Sequence, residues 1–124
     1  MQARDLPLST IALLLLFRSS AAAAPPIDCR KATSPVSLQI CGSDEFKAMD
    51  REIAALYDRG LAQFTGDDRH RLAQSQVAFV RRREGCGWAA HHSAHPGVAI
   101  AECVRNAMEG RVHALRATVD RGGY

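Results

Sequence analysis

Four cysteines in a chain of 124 residues are the feature that most constrains how this sequence can fold. An exported domain of about 100 residues has only a marginal core, so an even number of cysteines there favours disulfide bonds. Cys29, Cys41, Cys86 and Cys103 include no C-x-x-C pair, so neither zinc binding nor thiol exchange is indicated. Three pairings are possible. We favour Cys29–Cys41 and Cys86–Cys103, because each pair brackets one short connection next to a predicted helix.

The N-terminal residues predict export. Arg4 lies in a polar start, residues 10–17 form an apolar run, and residues 21–24 are all alanine, which is the layout of a secretory signal peptide. The apolar run is too short to cross a bilayer, which takes about 20 residues. We therefore expect a signal peptide at residues 1–23, cut after Ala22 or Ala23, and a single domain at residues 24–124 that is periplasmic or secreted. The alternative is an uncleaved N-terminal anchor.

Composition places the remaining chain among globular proteins and disfavours nucleic-acid binding. Hydrophobic residues make up 47% of the sequence and charged residues 23%, and the net charge is +3 with histidine neutral. Residues 1–23 contain two arginines and one aspartate, so their removal lowers the net charge to +2. Nucleic-acid-binding domains usually carry a much larger basic excess. After signal cleavage we expect no membrane span, no nucleic-acid partner and no cofactor.

The spacing of apolar residues predicts an all-α fold. The second predicted helix opens at Ser43 and ends before Gly66, and its apolar residues follow steps of three and four with one adjacent pair, which is one helical face. They are Phe46, Met49, Ile53, Leu56, Tyr57, Leu61 and Phe64. We predict further helices at 35–41, 67–84 and 98–119, a loop at 85–97 and a frayed end at 121–124. The predicted architecture is a small disulfide-linked antiparallel bundle of three main helices plus a short N-terminal one.

The third predicted helix has polar residues on its inner line. Gln76 and Arg83 share that line with Leu72, Phe79 and Cys86. Polar side chains at core positions require hydrogen-bond partners, so this helix predicts a buried polar network. Arg83 is expected to pair with an acidic side chain or with helix carbonyl groups.

Neither a metal site nor a catalytic site is favoured. His91, His92 and His95 form H-H-x-x-H, but no acidic residue lies between them and the surrounding glycine, serine and proline indicate a loop. An exported metal-binding protein that uses this loop remains an alternative. Asp50 and Glu52 diverge around a helix, so they do not form the paired carboxyl groups of a glycosidase. With the cysteines oxidised, no activated nucleophile remains, and we predict that the protein is not an enzyme.

Four blocks of residues, in this order, resemble the lysozyme inhibitor LprI family. The blocks are Asp28-Cys29-x2-Ala32 with Val36 and Ile40-Cys41; residues 44–57; Gln76, Phe79, Arg83, Glu84 and Cys86; and Cys103-Val104 with Met108, Arg111-Val112 and Leu115. The resemblance runs from Asp28 to Leu115, and its main departure is Phe79, where a tryptophan is common. It implies an exported, disulfide-linked, all-helical module that binds and inhibits lysozyme.

Charge complicates that implied activity, because common animal-type lysozymes are basic and this chain is also basic. Inhibition then requires a local acidic patch or a loop that enters the enzyme's cleft. The candidate acidic residues are Asp44, Glu45, Asp50 and Glu52. The candidate loop is 87–97, where Trp88 could anchor the contact or, alternatively, pack over the adjacent disulfide. A different class of function is a structural or assembly factor that binds another envelope protein.

Overall fold

A computed structural model describes residues 25–124, so the predicted signal peptide at residues 1–23 lies outside the described part of the chain. The four α-helices are α1 (Pro35–Cys41), α2 (Asp44–Gln63), α3 (Gly66–Gly85) and α4 (Pro96–Arg121). Two 3-10 helices occupy Cys29–Lys31 and Cys86–His92. No strand occurs between residues 25 and 124. The predicted all-α class is confirmed, with α2 and α4 in the most extensive contact.

Serine side chains begin the first two α-helices as the sequence predicts. Ser34 accepts a hydrogen bond from the Ser37 N–H, at 3.0 Å, and Pro35 follows as the first helical residue. Ser43 accepts from the Phe46 N–H at 3.2 Å. Both bonds satisfy an amide group that has no partner within its own helix.

Two predicted helix starts and one predicted loop are wrong. Helix α3 begins at Gly66, with Thr65 rather than Asp67 in the capping position, and α4 begins at Pro96, two residues before the predicted start. The segment predicted as a loop contains the second 3-10 helix. The C-terminal residues were predicted to fray, but they pack against the bundle. The Tyr124 ring meets the Phe64 ring edge-on, with 6.4 Å between the ring centroids.

The C-terminal end of α4 turns sharply at Gly122. Its φ of 82° lies in the left-handed region, which glycine adopts without a steric penalty. This turn sends the last residues back toward α3, where the hydroxyl groups of Tyr124 and Ser75 lie 3.1 Å apart. The tail therefore covers one end of the core.

The core is continuous and contains most of the predicted apolar positions. The largest fully buried side chains are Val36, Ile40, Ile53, Leu72, Phe79, Cys86, Val104, Met108 and Leu115. On α4 the buried apolar residues are Ile100, Val104, Met108, Leu115 and Val119, whereas Ala101 is only partly buried. Met49 and Val112 also pack at the margin of the core.

Both favoured disulfides are confirmed. Cys29 is bonded to Cys41 and Cys86 to Cys103, with Cα–Cα distances of 5.6 and 5.5 Å. The first bond fastens the N-terminal segment to the end of α1, and the second joins the end of α3 to α4. Cys86 is only 1% exposed, whereas Cys29 is exposed. The second bond is therefore part of the core and the first lies at its surface.

A buried ion pair joins α2 to α3. Arg83 Nη1 donates to Asp50 Oδ1 at 3.2 Å, and each residue is only 7% exposed. The other Asp50 oxygen accepts the Ile27 N–H at 2.7 Å, which fastens the N-terminal segment to the bundle. The Arg83 guanidinium also lies over the Phe79 ring, 5.3 Å from its centroid. The pairing predicted for Arg83 is confirmed.

A second polar group joins α3 to α4. Arg111 donates from Nε and Nη2 to Gln76 Oε1, at 3.1 and 2.8 Å, and from Nη2 to Ser75 Oγ at 3.0 Å. Its guanidinium lies 5.6 Å from the centroid of the Phe79 ring. The buried polar network predicted for α3 is thus confirmed, and Phe79 contacts both of its arginines.

Replacing Asp50 should strongly destabilise the domain. In Asp50→Ala the Arg83 guanidinium stays buried without its counter-charge and the Ile27 amide loses its acceptor, so we expect a loss of about 3 kcal/mol in the free energy of unfolding. Urea denaturation of the oxidised protein measures this loss. Asp58→Ala, an exposed position on the same helix, should change stability by about 0.5 kcal/mol or less. Equal losses for the two variants would contradict a structural role for the ion pair.

The two disulfides should differ in their accessibility to reductant. Reduction requires access to a sulfur atom, and Cys86 is buried in the core whereas Cys29 is exposed. Limited reduction of the native protein, followed by alkylation and peptide mapping, should label Cys29 and Cys41 first. Labelling of Cys86 and Cys103 first would show that the end of α3 opens more readily than this packing implies.

Candidate functional site

Trp88 is the most exposed large apolar side chain among residues 25–124. It lies in the second 3-10 helix and is 73% exposed. Its ring packs against the His91 ring, with centroids 5.0 Å apart and the planes inclined by 37°. His92 is exposed beside it. Trp88 is therefore exposed and is not covered by packing over the disulfide, which was the alternative prediction.

The segment that carries Trp88 is held at both ends. Cys86 starts it and is bonded to Cys103 of α4, and α4 begins only a few residues after His92. Ala90 packs against the core from within the segment. A short helix anchored in this way loses little conformational freedom when a partner binds, so a side chain that it presents is pre-organised.

Two more apolar side chains are exposed on the elements that contact this 3-10 helix. Leu38 on α1 is 55% exposed and Val98 on α4 is 59% exposed. A bond from Gln39 Nε2 to the Gly97 carbonyl, at 3.4 Å, fastens α1 to the start of α4. We call the set Leu38, Trp88, His91, His92 and Val98 the Trp88 end.

Leu38 and Val98 were not predicted to belong to a surface. Leu38 could have been found from spacing, because Val36 and Ile40 lie four residues apart on the buried face and Leu38 lies between them on the opposite face. Val98 had no such signal, since its exposure depends on where α4 begins.

Asp50 does not contribute to a surface patch. Asp50 was predicted to lie in one acidic patch with Asp44, Glu45 and Glu52, but it is buried against Arg83 and cannot reach a partner protein. Its position on α2 explains this, because Asp50 lies four residues after Phe46 and three before Ile53, on the face that packs into the core.

The other three acidic residues are exposed or partly exposed, and each is paired with a basic side chain. The pairs are Asp44 with Lys47, Glu45 with Arg105, and Glu52 with Arg116. The hydrogen bond from Arg105 to Glu45, with the negative charge of that carboxylate, raises the pKa of Arg105 above its usual value. Because α4 supplies two of the three cations, this side of α2 is close to neutral and does not form the acidic patch that the sequence suggested.

The three histidines do not form a metal centre. His91 and His92 end the 3-10 helix, whereas His95 precedes α4 and its backbone N–H donates to Ser93 Oγ at 3.0 Å. Within the described part of the chain, no three histidine, cysteine, aspartate or glutamate side chains are arranged to hold a metal ion. The metal-binding alternative therefore has no geometric support in residues 25–124.

Two comparisons give no match, and one identifies the family. No curated protein and no solved structure matches the chain significantly. None of the helices in residues 25–124 is long and apolar enough to cross a membrane. The family model described as lysozyme inhibitor LprI matches residues 29–115, a span that contains both disulfides, the buried ion pair and Trp88. The chain, with its four cysteines joined in two disulfides, belongs to the LprI lysozyme-inhibitor family.

Proposed function

We propose that the protein is exported and inhibits a lysozyme outside the cytoplasm, in the periplasm or after secretion. Membership of the LprI family supports this role, and so do two disulfides, which are typical of proteins in oxidising compartments. The signal peptide predicted at residues 1–23 supports the same location. Such a protein acts by binding and needs no catalytic group of its own.

The inhibitory surface in this proposal is the Trp88 end. The observation that carries it is a tryptophan 73% exposed on a 3-10 helix that a disulfide fastens to α4. Burying an indole of this size in an aqueous protein interface is strongly favourable, and tryptophan is enriched among the residues that dominate binding energy. Leu38 and Val98 are two further exposed apolar side chains, on the helices that contact this 3-10 helix.

The chemistry of the surface suits the cleft of a glycoside hydrolase. Such enzymes use two carboxyl groups on either side of the bond that they cleave. His91 places an imidazole beside the exposed indole, and His92 is exposed next to it in the chain; an imidazole N–H can donate a hydrogen bond to a carboxylate. The Trp88 end would thus fill the cleft with an aromatic ring and occupy its acidic groups with histidine donors.

Short-range contacts must supply most of the affinity for a basic lysozyme. The mature chain is basic overall, and three acidic side chains of α2, Asp44, Glu45 and Glu52, are paired with Lys47, Arg105 and Arg116. Long-range attraction therefore contributes little to the association rate, and tight binding depends on slow dissociation.

Trp88→Ala should abolish most of the inhibition without affecting the fold. Loss of a dominant interface side chain costs at least about 2 kcal/mol, so we expect the inhibition constant to rise about 30-fold. The assay measures lysozyme digestion of bacterial cell walls in the presence of oxidised residues 24–124. The matched control is Val77→Ala, an exposed apolar residue on α3 outside the Trp88 end, which should inhibit like the wild type.

The lysozyme proposal fails if the wild-type protein does not slow digestion by any of several lysozyme types at low salt. That result would favour an envelope structural or assembly factor. Inhibition that is equally strong in Trp88→Ala would keep the activity and reject the Trp88 end as its site. The two outcomes are therefore distinguishable.

Neutralising the three paired acidic residues of α2 should change the association rate with lysozyme but not the dissociation rate. The variant Asp44→Asn, Glu45→Gln, Glu52→Gln makes the protein more basic, so its association with a basic lysozyme should slow by about threefold or less at physiological salt, where the screening length is about 8 Å. Its dissociation rate should stay unchanged, whereas that of Trp88→Ala should rise. Surface plasmon resonance separates the two rates, and a tenfold faster dissociation of the acid variant would place the α2 acids in the interface.

A further inference from the structure

Trp88 and His91 lie one above the other on the second 3-10 helix. Such a helix has about three residues per turn, so side chains three residues apart are eclipsed. The two ring centroids are accordingly 5.0 Å apart, with the ring planes inclined by 37°. His92 follows one residue later and lies about a third of a turn away from the pair. The spacing thus brings one imidazole, and not its neighbour, against the exposed indole.

The Trp88–His91 pair has no acidic residue near it in the sequence. Between Glu84 and Glu102 the chain contains three histidines and no aspartate or glutamate. Glu84 accepts a hydrogen bond from Ser34 Oγ at 3.3 Å, and Glu102 is exposed on α4. Among residues 25–124, no carboxylate lies within ion-pairing distance of His91. A positive charge on His91 therefore has to find its counter-charge on a binding partner.

The elements that pack against this 3-10 helix carry more positive than negative charge. They are α1, the end of α3 and the start of α4, and α1 has no charged side chain. The charged or titratable side chains at the adjoining ends of α3 and α4 are Arg82, Arg83, Glu84, His95 and Glu102. Histidine gains its charge between about pH 5 and 8, so the charge of the Trp88 end changes within that range.

Protonation changes the His91 imidazole in two ways that affect a partner. The neutral ring has one N–H donor, whereas the imidazolium has two donors and a positive charge. Hydrogen bonds from a charged donor to a carboxylate are roughly twice as strong as bonds between neutral groups. A cation within about 6 Å of an indole centroid is also attracted to the ring, and His91 lies within that distance of Trp88. The charged form therefore donates more strongly and holds the indole in place.

We propose that protonation of His91 strengthens binding of the Trp88 end to a lysozyme, so that inhibition is strongest at mildly acidic pH. This inference rests on the proposed function, in which histidine donors meet the carboxyl groups of the cleft. One of the two carboxyl groups of a glycosidase stays ionised while the other is protonated, so an acceptor for the imidazolium persists.

The direction of the pH dependence follows from the proton that the complex retains. If the carboxylate binds the charged imidazole more tightly, binding is coupled to proton uptake and affinity rises as the pH falls. The gain is complete where His91 of the free protein is charged, and it is lost as the pH rises above that range. Repulsion between the additional positive charge and distant charges of a basic lysozyme is screened beyond about 8 Å at physiological salt.

The first test uses the fluorescence of Trp88, which is the only tryptophan in the chain. A protonated imidazole in contact with an excited indole quenches its emission. The emission of the folded, oxidised residues 24–124 should therefore fall in one transition as the pH is lowered from about 8 to about 5. His91→Gln should remove the transition. His92→Gln replaces the exposed neighbouring histidine and is the matched control, which should retain it.

The second test measures inhibition of lysozyme at about pH 5.5 and about pH 8, at physiological salt. Comparison of each variant with the wild type at one pH removes the pH dependence of lysozyme itself. His91→Gln should inhibit like the wild type at the higher pH and about fivefold more weakly at the lower pH, since it loses a charged donor but keeps a neutral one. His113→Gln removes an exposed histidine of α4 outside the Trp88 end and should inhibit like the wild type at both.

Two results would overturn the proposal. One is Trp88 emission that does not titrate, or that titrates equally in His91→Gln. The other is a ratio of wild-type to His91→Gln inhibition constants that is the same at both pH values, which would leave the proposed function intact. If the wild type inhibits no lysozyme at either pH, the proposed function fails and the pH-dependent affinity fails with it. The fluorescence transition still decides in that case whether a protonated His91 contacts Trp88.

Discussion

The buried ion pair between Asp50 and Arg83 is the interaction on which the rest of the bundle depends. It connects α2 to α3, and through the Ile27 amide it also fixes the N-terminal segment that carries the first disulfide. Buried pairs often add little net stability compared with apolar side chains, but an unpaired member is very costly. The pair therefore restricts which helix faces can meet, and it holds Phe79 against the Arg83 guanidinium in the centre of the core.

Much of this fold could be predicted because its helices are long enough to show a clear period. The apolar face of α2 and the polar seam of α3 are both visible in the sequence, and the cysteine spacing suggested the correct pairing. The 3-10 helix at Cys86–His92 was missed because its seven residues are too few to show a period. Asp50 was misplaced for another reason: it was grouped by charge, although its spacing from Phe46 and Ile53 already placed it on the buried face.

The candidate surfaces were harder to predict, because they depend on the register between helices that are far apart in sequence. Arg105 and Arg116 neutralise Glu45 and Glu52 from 60 and 64 residues away, and no local pattern shows that pairing. The open groove beside α4 has the same origin. Small residues spaced by three or four on α4 commonly indicate close helix packing, but here only Arg82 of α3 and Cys86 of the second 3-10 helix lie opposite them, and an open space remains.

The Cys86–Cys103 disulfide lies between the Trp88 end and the groove beside α4. On one side it anchors the 3-10 helix that presents Trp88, and on the other it lines the groove. A domain of about 100 residues has little core with which to fix so short a helix, so a covalent bond at its first residue stabilises it. The Cys29–Cys41 bond lies at the surface of the core and joins the N-terminal segment to α1, which carries Leu38 of the Trp88 end. The two bonds thus have different roles. The Cys29–Cys41 bond holds the N-terminal segment in place, and the Cys86–Cys103 bond fixes the 3-10 helix that presents Trp88.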